Sequence, residues 1–374
     1  ANLLIGLDIR EGRALTDGNR QPLFPLLIAP FAQRGWSYYT ASKLVGLAAG
    51  SATLLAILLL SRRRWGWGPA LLAMGLMSVN GRFVDHTPRV LCEALLTGLS
   101  FASWVTSLRA LERPKSWKCG LWAGTWVGLV YLTKGSGMLL VMAFMSTAWL
   151  LYRSQILRLP LVWVYLVGFL LISSPLFIYN IRHYGQPLYN YNSTNAFWFD
   201  SWGDSYLSKQ ALPTMQSYFA AHSAADILQR EANGLLAVLP SLAESFDLTG
   251  FDGVSGWPFL ALAVWATVNG LRTTIERKTD AMQQFSDKAL AGVLLVIFYV
   301  FFAWYAPVSR APRFFLPIVP MIYILSGRSV IAGAPRLWKS LDSHTRSFAL
   351  MRPMVFVTAT GLALLPLGTG LRAW

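Results

Sequence analysis

Cysteine, histidine and acidic side chains are scarce in this chain. Two cysteines, Cys92 and Cys119, in 374 residues exclude a disulfide framework and a cysteine metal site. They read as thiols packed inside helices. Beside His86, the histidines are His183, His222 and His344, all in different loops without metal-ligand spacing, so no metal site is expected. Charged residues make up 13% of the chain, against about 25% in soluble domains. The opening stretch ANLLIGLDIREGRALTDGNRQ has neither the pattern of a signal peptide nor the length of a spanning segment.

What is abundant is apolar surface. Hydrophobic residues are 55% of the chain, and the mean hydropathy is +0.45. They come in long blocks separated by short basic loops, the pattern of an all-α, polytopic transmembrane helix bundle. The net charge of +15 does not indicate a nucleic-acid partner. The cations sit at the ends of apolar blocks, where the positive-inside rule puts them.

About ten spans are expected, near 36–61, 67–81, 90–108, 118–133, 137–152, 160–180, 256–271, 288–306, 314–334 and 354–371. The segment PLFPLLIAPF (22–31) is too short and proline-rich to cross, and reads as an interfacial or re-entrant piece. The basic loops carry Arg62–Arg64, then Arg109, Arg113, Lys115 and Lys118, then Arg153 and Arg158. Further cations lie at 272–288 and 336–352. They alternate along the chain, so all fall on one face, which the rule makes cytoplasmic. The organisation expected is an outer juxtamembrane segment (1–35), a first transmembrane block (36–180), an outer loop (181–255) and a second transmembrane block (256–374). Within the outer loop, Ile227, Leu228, Leu235, Leu236, Leu239 and Leu242 recur among polar residues, as in an amphipathic helix lying on the membrane surface.

Four stretches share the outer face in this reading. They are GNRQPLFP with Arg20; FVDHTPRVLCEALL with Asp85, His86, Arg89 and Glu93; LTKGSG with Lys134; and WYAPVSRAPRFFLP with Arg310 and Arg313. A charge at the bilayer centre costs roughly 2.5–3.5 kcal/mol, so ionisable residues near a membrane interior are functional candidates. Lysine and arginine at headgroup depth suit an anionic lipid phosphate. A neighbouring carboxylate can act as a base, orient an acceptor hydroxyl or hold a divalent cation. The outer loop adds Arg182 and the aromatics Tyr184, Tyr189, Tyr191, Trp198, Trp202 and Tyr206, whose faces suit sugars. Each signal also has a structural reading. Lys134 could be a snorkelling anchor. Glu93 could pair with Arg89, one turn back on its helix. Asp85 could be merely solvated, the late arginines could anchor a helix end, and the aromatics could form an interface belt. The shared face and mixed charge favour chemistry on a lipid-phosphate-linked sugar.

These stretches resemble the GT-C class of integral-membrane glycosyltransferases, which use polyprenyl-phosphate sugars. The likeness is to the branch holding the protein O-mannosyltransferases and the lipid A aminoarabinose transferase. DGNRQPLFPLLIAPF resembles the family's arginine-proline stretch, TPRVLCEALLTGLSF its acidic residue entering a later helix, and LTKGSG its LTK motif. SSPLFIYNIRHYGQPLYN and FAWYAPVSRAPRFFLPIVP resemble the approach to the large outer loop and the late arginine-proline helix start.

The resemblance implies that Lys134 contacts the donor phosphate, with Arg310 or Arg313 as a second cation; Arg20 is expected to bind the same phosphate. Glu93 inherits the acidic role of the family's motif, and Asp85, from the same outer-face stretch, is expected in the catalytic site beside it. His86, Arg182, Tyr189 and Trp202 are expected on the substrates. The reaction implied is inverting transfer from a polyprenyl-phosphate sugar to a lipid, glycan or protein acceptor, without a bound cofactor unless a divalent cation is used. The implied location is a bacterial inner membrane, with the site on its extracytoplasmic side. The family's catalytic aspartate follows a first helix, and Asp8 and Asp17 stand too near the prolines to match it. That helix and aspartate are therefore expected upstream of Ala1. The rival readings are a transporter or flippase for an anionic lipid or solute, which predicts related halves and charges at mid-membrane, and a non-catalytic member of the same fold.

Overall fold

Helices begin and end where proline, glycine and charge interrupt the apolar blocks. A computed structural model describes residues 1–32, 36–207, 212–250, 254–262, 264–265 and 282–328. The elements are α1 (Asn2–Arg10), α2 (Leu23–Ile28), α3 (Trp36–Trp65), α4 (Trp67–Ser78), α5 (Gly81–His86), α6 (Glu93–Glu112) and α7 (Trp117–Thr133). They continue with α8 (Met138–Tyr152), α9 (Pro160–Tyr184), α10 (Tyr191–Thr194), α11 (Met215–Ala221), α12 (Ala224–Glu244), α13 (Met282–Trp304) and α14 (Leu316–Arg328). The described residues form no strand, only one isolated bridge between Asn80 and Leu248.

The protein is an integral membrane protein. Helical stretches long and apolar enough to cross a membrane are Ser37–Trp65, Glu93–Glu112, Gly135–Arg158, Pro160–Tyr184 and Ser286–Trp304. The expected segments 67–81 and 314–334 give shorter apolar helices. The seventeen residues of α7 span about 25 Å, short of the ~30 Å hydrocarbon layer. The expected span 354–371, much of 256–271, and the cations at 272–278 and 336–352 lie outside the described residues. The proline-rich 22–31 segment does not cross; it is α2 followed by a 3-10 turn, Ala29–Phe31.

The central helix is α6, buried along most of its length from Glu93 to Leu111. α7 and α9 lie against each other through small residues. A Cβ on Gly120 would meet Leu161 O at 3.1 Å, and one on Gly168 would meet Leu121 O at 2.6 Å. Such contacts let apolar helices associate where no hydrophobic force drives them together. Their registers rise together, so α7 and α9 run parallel, and Thr133 and Tyr184 end at the same face. At the opposite face a buried ionic node ties four helices. Arg64 contacts Glu112, and its Nη2 lies 2.6 Å from Asp287 Oδ1. The other Asp287 oxygen accepts from Trp65 at 2.9 Å and from Arg328 at 2.5 Å.

The loop after α9 folds back over the bundle. Gly185 ends α9 at φ +73°, a left-handed cap that glycine adopts without strain. The buried Asn180 amide donates to Pro187 O and Tyr189 O, both at 3.1 Å. Tyr191 N donates to Gly18 O at 2.8 Å, and Asn190 to Asn19 O at 2.7 Å, so the amino-terminal stretch is laced to this loop. The expected amphipathic helix is α12, capped by Ser223 and Asp226. It does more than lie on a surface: Val238 and Leu242 are buried in the core, and Gly234 touches Ala303 of α13, while Leu228 and Leu236 remain exposed.

Candidate functional site

The site is assembled at helix ends. α6 opens on Glu93, where free N–H groups and the helix dipole favour a carboxylate. α7 stops at Thr133, whose hydroxyl donates to Leu129 O at 2.8 Å. Lys134 then adopts an extended backbone, φ −158° and ψ 139°. Its N–H closes the helix on Val130 O at 3.0 Å. A 3-10 turn, Gly135–Gly137, leads into α8. The Gly137 backbone has an ordinary φ of −56°. Its glycine is required by contact, since a Cβ would sit 2.6 Å from Tyr131 N.

Three stretches distant in sequence meet here. Lys134 Nζ is 3.3 Å from Glu93 Oε1, and Arg313 Nε is 3.9 Å from the same oxygen. The Glu93 side chain is only 5% exposed, whereas those of Lys134 and Arg313 are 27% and 39% exposed. The carboxylate is thus the floor of the cluster, and the cations face outward. Glu93 Oε2 and Arg313 Nε are buried without a hydrogen-bond partner. Among the described residues, these two cations share the one Glu93 carboxylate, so the cluster carries an excess positive charge. That is the electrostatics of an anion site, and arginine beside lysine suits a phosphate.

The ring of Phe314 lies near both cations, its centroid 5.2 Å from Lys134 Nζ and 5.7 Å from the Arg313 guanidinium carbon. The ring is stacked on Phe302 of α13 at 4.8 Å. Phe314 and the buried Gln21 were not singled out in the sequence. The RFF triplet offered a signal only if both cations had been placed first. Gln21 approaches Gly135, where a Cβ would be 3.6 Å from Nε2, so the stretch containing Arg20 does border the lysine turn. Arg20 itself pairs with Asp17 at 2.8 Å and does not enter the cluster.

α5 brings the neighbouring groups. Asn80 caps it, accepting from Phe83 N at 2.8 Å, and donates to Ser245 O and to the Tyr323 hydroxyl. His86 is buried, with Nδ1 2.8 Å from Arg82 O. Burial holds its imidazole below the usual histidine range. The Arg82 carbonyl and the Glu93 and Asp85 carboxylates oppose that shift, and Arg313 reinforces it. Asp85 is exposed and pairs with Arg89 at 2.6 Å. The alternative pairing of Glu93 with Arg89 is therefore not the one found.

The remaining candidates are spread over the same face. Arg310 is exposed and its Nε donates to Ala306 O at 3.4 Å; of the two late arginines, Arg313 is the one beside Glu93. Arg182 is exposed in the last turn of α9. Tyr189 stacks on Tyr184 at 4.1 Å, beside Gly18, whose φ of +78° suits glycine. Trp202 is exposed at the start of a short 3-10 turn held by Ser201 and Asp204. A second node, unforeseen in the sequence, surrounds Arg230: it donates to Trp304 O and Phe197 O, pairs with Asp200 and lies over the Trp304 and Tyr218 rings. Among the described residues, no group of three or more His, Cys, Asp or Glu side chains is placed to hold a metal ion.

Residues 20–179 match the family model of the dolichyl-phosphate-mannose-protein mannosyltransferases. A comparison with curated protein sequences finds no match. Among solved structures, ArnT from Cupriavidus metallidurans bound to undecaprenyl phosphate superposes with a TM-score of 0.55 at 15% identity, covering 98% of this chain and 60% of ArnT. The archaeal oligosaccharyltransferase AglB from Archaeoglobus fulgidus, in complex with an inhibitory peptide and a dolichol-phosphate, gives 0.55 at 13%, covering 97% of this chain and 50% of AglB. The fold is that of ArnT and AglB. The chain spans roughly half to three-fifths of the length of these two proteins. The matched segment 20–179 contains the proline stretch, Glu93 and Lys134, and ends within α9.

Proposed function

We propose that the protein transfers a sugar from a polyprenyl-phosphate donor to a lipid, glycan or protein acceptor, at the extracytoplasmic face of a bacterial inner membrane. The observation that carries this reading is the meeting of Lys134 and Arg313 on the Glu93 carboxylate. In this proposal the two cations hold the donor phosphate. As the bond between the sugar's anomeric carbon and the phosphate oxygen breaks, they stabilise the charge left on the polyprenyl phosphate. Pre-placed cations do this without reorganisation at the moment of reaction.

The acceptor oxygen forms the new bond to the anomeric carbon and loses its proton to a carboxylate. Asp85, paired with Arg89, and Glu93 are the carboxylates our reading places in the catalytic site. Glu93 keeps the cations at a fixed spacing, and its free Oε2 orients the acceptor hydroxyl. His86 borders this pair, and Arg182, Tyr189 and Trp202 serve the sugar or acceptor further out. The carrier lipid of ArnT and AglB supports the choice of donor: undecaprenyl phosphate in one, dolichol phosphate in the other. The division into a first transmembrane block, an outer loop and a second block, with residues 1–35 lying outside the bilayer, is part of the same proposal. A transporter reading fits less well, because the charges cluster at helix ends and not at mid-membrane.

The test is incubation of membranes containing the protein with radiolabelled polyprenyl-phosphate sugars. Label should appear in an acceptor fraction, and Lys134→Ala should abolish it while the protein still inserts. Full transfer by Lys134→Ala would reject the phosphate role.

A further inference from the structure

At the face opposite Glu93 and Lys134, Glu112 and Asp287 are tied into the Arg64 node, while the stretch from α7 to α9 supplies cations only. Between Glu112 and Asp200 there is no acidic residue at all. Lys118, Arg153 and Arg158 fall within this stretch, all three exposed, and none forms an ion pair with a described residue. The fold brings the helix ends that carry them to one level. α7 and α9 start side by side, with Gly120 against the Leu161 carbonyl, so Lys118 and Arg158 stand at one level. α8 returns to that level, and Arg153 follows its last residue.

Indoles frame these cations. Lys118 Nζ lies 5.7 Å from the Trp117 ring centroid, and the Arg153 guanidinium 5.5 Å from that of Trp149. The Trp163 N–H donates to Leu157 O at 3.0 Å, pinning the 3-10 turn that carries Arg158 to the first turn of α9. Trp117, Trp149 and Trp163 are all more than half exposed. Amphipathic indole rings settle at headgroup depth, and a cation held over an indole stays where a phosphate can reach it. Basic pockets between spanning helices recognise acidic lipid headgroups.

We propose that the ends of α7, α8 and α9 form a binding site for an acidic glycerophospholipid of the leaflet opposite the Glu93 site. Lys118, Arg153 and Arg158 take the headgroup phosphate, and the three tryptophans seat the glycerol and upper acyl chains. Charge complementarity argues for this occupant: the site offers three exposed cations, none paired with a carboxylate among the described residues, and an apolar rim at one depth. It stands whether or not the protein transfers sugar.

The experiment is native mass spectrometry of the purified full chain after exchange into detergent with phosphatidylglycerol or phosphatidylcholine. The wild type should retain phosphatidylglycerol in preference. Each charge removed in Lys118→Gln, Arg153→Gln and Arg158→Gln should lower its apparent affinity roughly fivefold, the factor corresponding to about 1 kcal/mol per cation near a charged lipid surface. Arg113→Gln with Lys115→Gln, which removes two cations from the neighbouring loop, should leave retention unchanged. Trp149→Phe with Trp163→Phe gives a second, charge-neutral variant expected to weaken retention. The proposal is overturned if the wild type shows no preference, if the triple variant binds phosphatidylglycerol as the wild type does, or if the loop variant loses as much as the triple variant.

Discussion

Lys134 and Glu93, separated by 41 positions in the chain, meet with Nζ 3.3 Å from Oε1. One ends a helix and the other begins one, so neither is free to move away without disturbing the bundle. The contact makes Glu93 more than a counter-ion. It fixes the spacing of two cations that would otherwise repel each other. Glu93→Gln preserves the shape and removes the charge. Sugar transfer should fall by about 10²- to 10³-fold, as when one pre-placed electrostatic group is lost from an active site. Membrane insertion and expression should match the wild type. Transfer assays on membranes normalised for protein check this.

The two late arginines should behave differently. Arg313 faces Glu93, whereas Arg310 donates to the backbone of its own turn. Arg313→Gln should reduce transfer by at least about tenfold, the effect of roughly 1.4 kcal/mol. Arg310→Gln should stay within about twofold of wild type, as expected for a surface substitution. Parallel assays of the two variants decide it.

The limits of sequence reading are visible in these same residues. Long apolar runs fixed the helices, because spanning segments must satisfy their own backbone hydrogen bonds. Glu93 and Lys134 stood out as charges in apolar runs. Their contact could not be read, since it depends on how α6 and α7 pack. Arg20 looked equivalent to Lys134 from its flanking motif, yet Asp17, three positions away, takes its charge. Arg310 and Arg313 could not be told apart until the turn between α13 and α14 was seen. Phe314 carried no signal of its own, because an aromatic beside apolar residues is ordinary. The Arg230 node was hidden because it joins backbone carbonyls at Phe197 and Trp304, which no side-chain pattern encodes.

The opposite face carries a stability prediction. Asp287 is fully buried and receives Arg64, Trp65 and Arg328. Removing one partner of a buried ionic cluster leaves uncompensated charge and costs about 3–5 kcal/mol. Asp287→Ala should lower the unfolding midpoint in mild detergent markedly. Asp287→Asn, which keeps the shape and some hydrogen bonds, should lower it less. Thermal denaturation followed by a cysteine-reactive dye suits a protein with two thiols.

His86 gives a pH prediction. Burial holds its folded pKa below the ordinary histidine value. The unfolded chain, with a pKa near 6.5, therefore takes up the proton more readily than the folded one. The stability tied to neutral His86 is complete above about pH 6.5 and is lost as the pH falls below that value and through the lower folded pKa. The unfolding midpoint should drop as the pH is lowered below about 6.5, and His86→Gln should flatten that slope. Unfolding scans across this range compare the two.

The most direct measurement of the central claim is the binding of undecaprenyl phosphate to the purified protein and to Lys134→Ala, by native mass spectrometry or titration calorimetry. The wild type should bind it, and Lys134→Ala should bind at least about tenfold more weakly, the loss of one charge-assisted contact of roughly 1.5–3 kcal/mol. Equal binding by both proteins, with the variant folded, would contradict the assignment of this cluster to the donor phosphate.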